Sequence, residues 1–580
     1  MPLSRFSGIL RQRNQIMRKF GLNGRVLLSK NGSSQNSFRH LSSRDDVSSN
    51  IRCVIVGSGP AGFYTAKYLL EKNKCTTVDM IERLPTPYGL VRQGVAPDHQ
   101  EVKSVMTTFT EVAMNSRFRF FGNVTLGCDT GDDGKSVQKN ELSILDLQNS
   151  YDVVVLAYGA SSDKNLNIPG ENIGGVLSAR NFVNWYNGHP YCRQVGETFD
   201  LKKIKRVVVI GQGNVAIDCA RILMKSIGDL EKTDISSHAL EALRESAVEE
   251  VVIVGRRGHI QASFTIKEIR ELTRLPNVSV KIRESELQTS LTDASKIELL
   301  NNRSKHRIVE LINKIAAPIE IATPITETIN QKCIDLRFLL TPIEIFKSDD
   351  KTNSVGGILL EKNILIGEEN KQKAVSTGEI ETIKCELILK SVGYQSESID
   401  GIPFDFKKHI IPNKKGRVYI PVKEENLINI YPNSIQSMNS NSIENIEDTE
   451  DFDYVKGLYV SGWLKRGPSG IVGTNINDAK ETVDSILHDI SSRPISDNNT
   501  NLHDTLLGID LNNMGTSSRY NKCDPIEILS VLKAPDVVTW EDYLRIEKEE
   551  EKRGLESNPT KPREKICNIE ELLFVAKNSV

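Results

Sequence analysis

Two stretches of this chain carry glycines at a spacing that can cradle a diphosphate. In "IRCVIVGSGPAGFYTAKYLL", Gly57, Gly59 and Gly62 stand in G-x-G-x-x-G register between an apolar run, Cys53–Val56, and a segment with helical spacing (Ala61, Ala66, Leu69, Leu70). Gly57 permits a tight turn, and Gly59 lets backbone approach a pyrophosphate. Gly62 lets helix and strand pack closely, and the helix start presents free N–H groups. A second apolar run, "TTVDMIE", ends at Glu82, 20 residues beyond Gly62; a carboxylate there can accept both hydroxyls of a ribose. The second copy, "RVVVIGQGNVAIDCARIL", places Gly211 and Gly213 in the turn, Ala216 at the third small position, and Gln212, Asn214 and Val215 around the helix start. Its following run, "VEEVVIVGRRG", ends not in an acid but in Arg256 and Arg257. Two guanidiniums cannot accept from a ribose diol, but they match a 2′-phosphate in charge and fork geometry.

The two sites therefore differ in their ribose readers. An acid-tagged first site suits FAD and an Arg-tagged second suits NADP(H), and that pairing supports hydride transfer from nicotinamide to flavin, aligned by the protein. To position such turns the chain needs strand–turn–helix–strand units of the doubly wound α/β kind. Between the second helix and the Arg-bearing strand, "GDLEKTDISSHALEALRESAVEE" reads as a helical insertion.

The bulk numbers agree with a soluble multidomain enzyme. The chain has 580 residues, 38% hydrophobic and 26% charged; 74 Lys+Arg against 76 Asp+Glu leave a net charge of -2. That length exceeds one core of ~100–200 residues, and the charge balance offers nothing to nucleic acid. No apolar run reaches the ~18 residues of a membrane span. The nine cysteines include no Cys-x-x-Cys pair, which argues against a zinc ribbon, a cysteine-ligated cluster or a dithiol redox loop; no metal is expected. Residues 1–44 carry Arg, Lys and Ser but no acid before Asp45. Ile9, Leu10, Ile16, Met17 and Phe20 can share one helix face, the make-up of an organellar transit peptide.

Longer stretches are more specific. "TPYGLVRQGVAPDHQEVKSV", "NIPGENIGGVLSARNFVNWYNGHP", "GRRGHIQASFTIKEIREL", "LKSVGYQS" and "GWLKRGPSGIVGTNINDAKETV" occur in that order. Together with "GQGNVAIDCARIL" they resemble the adrenodoxin reductase family of mitochondrial-type NADPH:ferredoxin reductases. The resemblance covers roughly residues 50–495 and returns near the C-terminus in "VTWEDYLRIEKEEEKRG" and "KPREK".

The resemblance implies two Rossmann-like domains of the disulfide-reductase flavoenzyme type, the NADP domain inserted in a discontinuous FAD domain. The bounds expected are 1–49 for the targeting segment, 50–160 and 390–580 for the FAD domain, 161–389 for the NADP domain, and 422–454 for a low-complexity surface insertion. It implies FAD contacts at Gly57, Gly59, Ala61, Gly62, Glu82, Leu90, Val124, Trp463, Gly470, Ile471 and Val472. It implies NADP contacts at Gln212, Gly213, Asn214, Val215, Arg256, Arg257, Glu268 and Gly470, with Glu268 toward the nicotinamide end. His99 is an auxiliary candidate beside the flavin. No side chain is needed as a nucleophile. The implied partner is an acidic, adrenodoxin-like [2Fe-2S] ferredoxin, docking on Arg303, Lys305 and Arg307, with Arg303 and Arg307 one helical turn apart. A monomer in the mitochondrial matrix, at most peripherally associated with the inner membrane, completes the expectation. Two enzyme rivals each lack a feature here. A glutamate-synthase-small-subunit-like protein would carry an N-terminal cysteine-rich domain, and a thioredoxin-reductase-like one a Cys-x-x-Cys. A non-catalytic flavoprotein is distinguished by whether NADPH bleaches its flavin.

Overall fold

The computed structural model describes residues 51–127, 140–316, 332–349, 353–421, 453–492 and 525–578. The expected targeting segment and all but the last two residues of the 422–454 insertion lie outside them.

Along the chain, β1 (Ile51–Val56) turns through Gly57 into α1 (Pro60–Lys72), β2 (Thr76–Glu82), β3 (Phe118–Gly122) and β4 (Val153–Leu156). Next come β5 (Val176–Ser178), β6 (Arg206–Ile210), α2 (Asn214–Met224), β7 (Glu250–Val254), α3 (Ile266–Leu272), β8 (Val278–Ile282), α4 (Arg303–Ala316) and β9 (Lys332–Arg337). Three longer strands follow, β10 (Leu340–Lys347), β11 (Val355–Ile366) and β12 (Lys373–Lys384). The chain then runs through β13 (Leu387–Lys390), β14 (Asn413–Lys414), β15 (Arg417–Ile420), β16 (Asp453–Val460), α5 (Thr474–Ser491), α6 (Trp540–Ser557) and α7 (Ile569–Lys577).

Two sheets organise these strands. The first has the order β14-β15-β16-β4-β1-β2-β3, and the second β8-β9-β7-β6-β13-β5. β1 is parallel to β2 (Cys53 opposite Val78) and to β4 (Cys53 opposite Val153). The second sheet repeats the motif, with β6 parallel to β7 and β13. Strands covered on both faces read as unbroken apolar runs, and β1, β4, β6 and β7 are buried along nearly their whole length. Because β16 pairs with β4 in the first sheet, the chain leaves that sheet near residue 157, completes the second, and returns. The outgoing and returning segments touch: Ser162–Asp163 pairs antiparallel with Tyr394–Gln395.

The antiparallel sheet β10-β11-β12 is not anticipated from the sequence, where its alternation is masked by Lys and Glu on an exposed face. The helical insertion after α2 resolves into two short helices, Ile227–Leu230 and Ser237–Arg244. The C-terminal region belongs to the first core. Trp540 and Tyr543 of α6 pack edge-on against Tyr88, which also meets Phe63. Val538 bridges Gly122 at the open edge of β3.

Candidate functional site

The glycine turns are built as close approaches. Gly57 has φ +104, and a Cβ there would stand 2.6 Å from Ala157 O. A Cβ on Gly62 would stand 2.1 Å from Gly57 O. Gly59 differs: a Cβ there would meet nothing within 4 Å, and Gly59 is the N-cap of α1 with no side chain capping it. The second turn repeats this. Gly211 (φ +129) would clash with Ser391 O at 2.1 Å, whereas Gly213, the uncapped N-cap of α2, faces open space. Each helix therefore begins with unsatisfied amides and room in front of them, which is what a pyrophosphate requires. Ala216, at the third small position of that turn, is fully buried.

The expected ribose readers stand at or just beyond the ends of the next strands. Glu82 closes β2, and its carboxylate accepts from Ser58 N (3.0 Å), Ser58 Oγ (2.7 Å) and Leu84 N (3.1 Å). Those bonds aim it at the first turn and leave lone-pair capacity for a diol. Arg256 and Arg257 follow β7, the first exposed and the second half-buried. Among the described residues neither guanidinium is paired with a carboxylate, while their carbonyls are held by Asn363 Nδ2 (3.0 Å) and Leu339 N (3.1 Å). Gln212 lies over Gly255 and donates to Arg337 O at 2.8 Å; Asn214 Oδ1 accepts from Thr265 N at 2.9 Å. Val215 packs on the second core.

The segment 86–93 covers the first turn. Tyr88 has φ +82 and donates its N–H to Ser58 O at 3.0 Å; a Cβ on Gly89 would lie 3.0 Å from Gly59 Cα. A positive φ at an aromatic residue is strained backbone, held here by its packing. Sequence reasoning passes over Tyr88, whose signal is only a "PYG" turn. Leu90 is half-buried in this segment, Ala61 is buried behind Gly59, and Val124 is buried beyond β3, its N–H bonded to Glu82 O at 2.9 Å.

The distal motif returns to the same place. β16 ends beside α1, where Thr65 Oγ1 donates to Ser461 Oγ at 3.2 Å and a Cβ on Gly462 would touch Ala61 Cβ at 2.5 Å. Trp463 is half-buried, its ring 5.4 Å from that of Tyr394 on the returning segment. Gly470 (φ +83) and Ile471 are exposed, while Val472 packs toward the first core. Arg466 shapes this turn by donating to Ser469 O, to Thr474 Oγ1 (2.8 Å) and to Asn475 Oδ1 (3.2 Å). Among the described residues the amides of Gly470, Ile471 and Val472 meet no acceptor.

Charge concentrates where segment 97–101 meets α2 and α3. His99 Nε2 lies 2.7 Å from Glu271 Oε2 and 3.8 Å from Glu268 Oε2. Arg221 is the hub, reaching Asp98 (2.8 and 3.0 Å), Asp218 (2.7 Å), Glu268 (3.2 Å) and Glu271 (3.4 Å). Lys225 adds a second cation on Asp98 at 2.8 Å. Burial, and then the neighbouring Asp218, push the Glu268 carboxyl above its ordinary value. Burial works the same way on Asp98, but Arg221 and Lys225 outweigh it and hold that carboxyl well below the usual range. One ligand atom each from His99, Glu268 and Glu271 lies within 4.8 Å of the others, a spacing a divalent ion accepts. Arg221 already supplies positive charge to both carboxylates, so the cluster is satisfied as an ion network. Arg221 and Asp98, its central pair, are not singled out by sequence, because partners 123 residues apart leave no local pattern.

Of the expected docking cations, Arg303 and Arg307 are exposed in the first turns of α4, whose Ile308, Val309 and Ile312 face the core. Lys305 stands apart from them: it is half-buried and paired with the buried Glu298.

A doubled strand–glycine turn–helix unit, with an acid after one copy and two arginines after the other, defines a pyridine-nucleotide flavoenzyme, and residues 51–310 match the pyridine nucleotide-disulphide oxidoreductase family. Within that class the likeness narrows. The chain is 41% identical to the mitochondrial NADPH:adrenodoxin oxidoreductase of Arabidopsis thaliana, over 90% of this chain and 95% of that protein. It is 35% identical to the Bos taurus protein of the same name, over 95% and 96%. The solved structure of Mycobacterium tuberculosis FprA in complex with NADPH superposes with a TM-score of 0.71 at 34% identity, covering 91% of this chain and all of that one. The chain belongs to the NADPH:adrenodoxin oxidoreductase family.

Proposed function

We propose that this protein is an FAD-containing NADPH:ferredoxin oxidoreductase that passes electrons from NADPH through FAD to an adrenodoxin-like [2Fe-2S] ferredoxin. The observation that carries the reading is the pair of uncapped helix starts, each behind an open glycine, one served by Glu82 and the other by Arg256 and Arg257, which meet no carboxylate among the described residues. Relatives named as NADPH:adrenodoxin oxidoreductases and as an NADPH-ferredoxin reductase support it.

FAD is assigned to 50–160 with 390–580, and NADP(H) to the inserted 161–389. In the first cradle, Gly57, Gly59, Ala61 and Gly62 form the pyrophosphate seat, and Glu82 takes the ribose. Leu90, Val124 and Trp463 wall the ligand. The free amides of Gly470, Ile471 and Val472 offer hydrogen bonds to a flavin edge. In the second, Gln212 to Val215 form the seat, and Arg256 and Arg257 take the 2′-phosphate. Gly470, without a side chain, leaves the nicotinamide room to approach. When bound, the two groups supply the hydride and single-electron chemistry. The protein's part is placement. Glu268 borders the nicotinamide end and His99 the flavin as auxiliary groups, and the Arg221 network holds them still.

Docking is assigned to Arg303 and Arg307, with Lys305 contributing to the fold of that face through Glu298. Residues 1–49 are assigned as a mitochondrial targeting segment and the mature protein to the matrix, as a monomer at most peripherally associated with the inner membrane. The relatives' mitochondrial names and the acid-free N-terminus support this. No helix among the described residues is long and apolar enough to cross a membrane. The electrons serve iron–sulfur cluster assembly or a hydroxylase chain.

The test is coenzyme-driven cytochrome c reduction with and without an added two-iron ferredoxin. NADPH should outperform NADH, and ferredoxin should raise the rate; preference for NADH, or indifference to ferredoxin, would overturn the assignment.

A further inference from the structure

A second knot of buried charge lies beside the nicotinamide-end network. Asp234 sits in the insertion between α2 and β7 and is 3% exposed. Lys103 Nζ stands 2.6 and 2.7 Å from its two oxygens, and Lys565 Nζ stands 3.0 Å from Oδ2. Gln100 Nε2 adds a hydrogen bond at 3.1 Å. Both lysines are buried. They come from opposite ends of the first module, whereas Asp234 belongs to the second, so the trio exists only in this arrangement of the two. The C-terminal strap around Lys565 takes further hold of the second module. Glu564 accepts from Ser237 N (2.9 Å) and Ser237 Oγ (2.6 Å), at the start of helix Ser237–Arg244, and Lys565 also reaches Asn187 Oδ1 at 3.4 Å.

Lys103 closes the short helix Gln100–Lys103, whose N-cap is His99. The residue gripped by Asp234 is thus one helical turn from His99, which meets Glu268 at 3.8 Å. A displacement of about 1 Å at such a site costs as much as ~100-fold in rate. We propose that Asp234 is a positioning residue for hydride transfer: by gripping Lys103 and Lys565 it fixes the second module, and with it the nicotinamide, against the first. This rests on the NADPH-to-flavin reading.

Two ammoniums on one buried carboxylate leave an excess charge, which low dielectric penalises. Burial lowers both ammoniums. It pushes that of Lys565 down to about 7, against the pull of Asp234 and with Lys103 and Arg92 adding repulsion. The strap around it also carries Lys561, Arg563, Glu564 and Cys567, with Glu550 behind it. A folded value below the ordinary ~10.4 for lysine disfavours the charged form in the fold. The grip is therefore tighter at pH 8 than at pH 6.

The experiment compares wild-type, Asp234→Asn and Lys565→Met holoenzymes by single-turnover flavin reduction at saturating NADPH, NADP+ affinity and amide hydrogen exchange at pH 6 and 8. In D234N, flavin reduction should slow ~10- to 100-fold, with NADP+ affinity within about twofold of wild type. Exchange should rise in residues 97–104 and 234–240. In the wild type the same segments should be better protected at pH 8 than at pH 6, and K565M should erase that difference. A D234N enzyme with wild-type rate and exchange, or a K565M enzyme that keeps the wild-type pH difference, would overturn the proposal. Should D234N yield no holoprotein, K565M, which keeps the Lys103–Asp234 pair, decides. If NADPH left even the wild-type flavin oxidised, the coenzyme reading would fall, and the exchange comparison would still judge the grip.

Discussion

At the scale of single residues, the proposed coenzyme preference turns on two side chains that meet no carboxylate among the described residues. Arg256 and Arg257 lie just beyond the end of β7, and a 2′-phosphate bound between them would add charge-assisted hydrogen bonds of about 1.5–3 kcal/mol each. Replacing both with alanine should raise KM for NADPH ~10- to 100-fold and leave KM for NADH nearly unchanged, checked by steady-state dye reduction with each coenzyme. Equal loss with both coenzymes would mean that the arginines support the fold instead. Glu82 is the contrasting case: its three protein donors keep it in place whether or not a ribose is present.

At the scale of elements, α4 divides its labour along its length. Ile308, Val309 and Ile312 fasten it to the core, leaving its first turns to carry Arg303 and Arg307 outward. Exposed charges of this kind steer an acidic partner without adding to fold stability. The double change Arg303→Glu and Arg307→Glu should cut ferredoxin-dependent cytochrome c reduction by at least ~10-fold at low salt, with dye reduction and melting temperature unaltered. Parallel loss of both activities would remove docking from this helix. Helical spacing makes the pair readable in sequence; the pairing of Lys305 with Glu298 is not, because seven residues separate them across a break between helices.

At the scale of the whole molecule, the modules meet through ionised groups, so their union depends on pH. Asp98 is held below its ordinary range by Arg221 and Lys225. A depressed carboxyl contributes stability above the unfolded value of ~3.9, and loses it as pH falls through the folded one. Lys565, lowered to about 7 by burial, disfavours the fold when charged, so stability climbs as pH rises from about 7 toward ~10. The melting temperature of the holoenzyme should therefore be higher at pH 8.5 than at pH 6, and drop steeply below about pH 4. A flat profile between pH 4 and 9 would show that these buried pairs do not carry the junction.

The sequence by itself determined the local units: both strand–turn–helix cradles, the acid and the arginines placed after them, and the long motifs that mark the family. Each unit is local, a strand, turn and helix with the next strand in sequence, where glycine placement and hydrophobic period act directly on the backbone. The sheet β10-β11-β12 escaped because its exposed face carries charge instead of a clean alternation, and the C-terminal helices because their partners lie far back in the chain. Only the tertiary structure brought Trp463 to Tyr394, Arg221 to Asp98, and Lys103 and Lys565 to Asp234. Those contacts join residues up to 331 positions apart, chosen by how two finished modules pack, and no local periodicity encodes that choice.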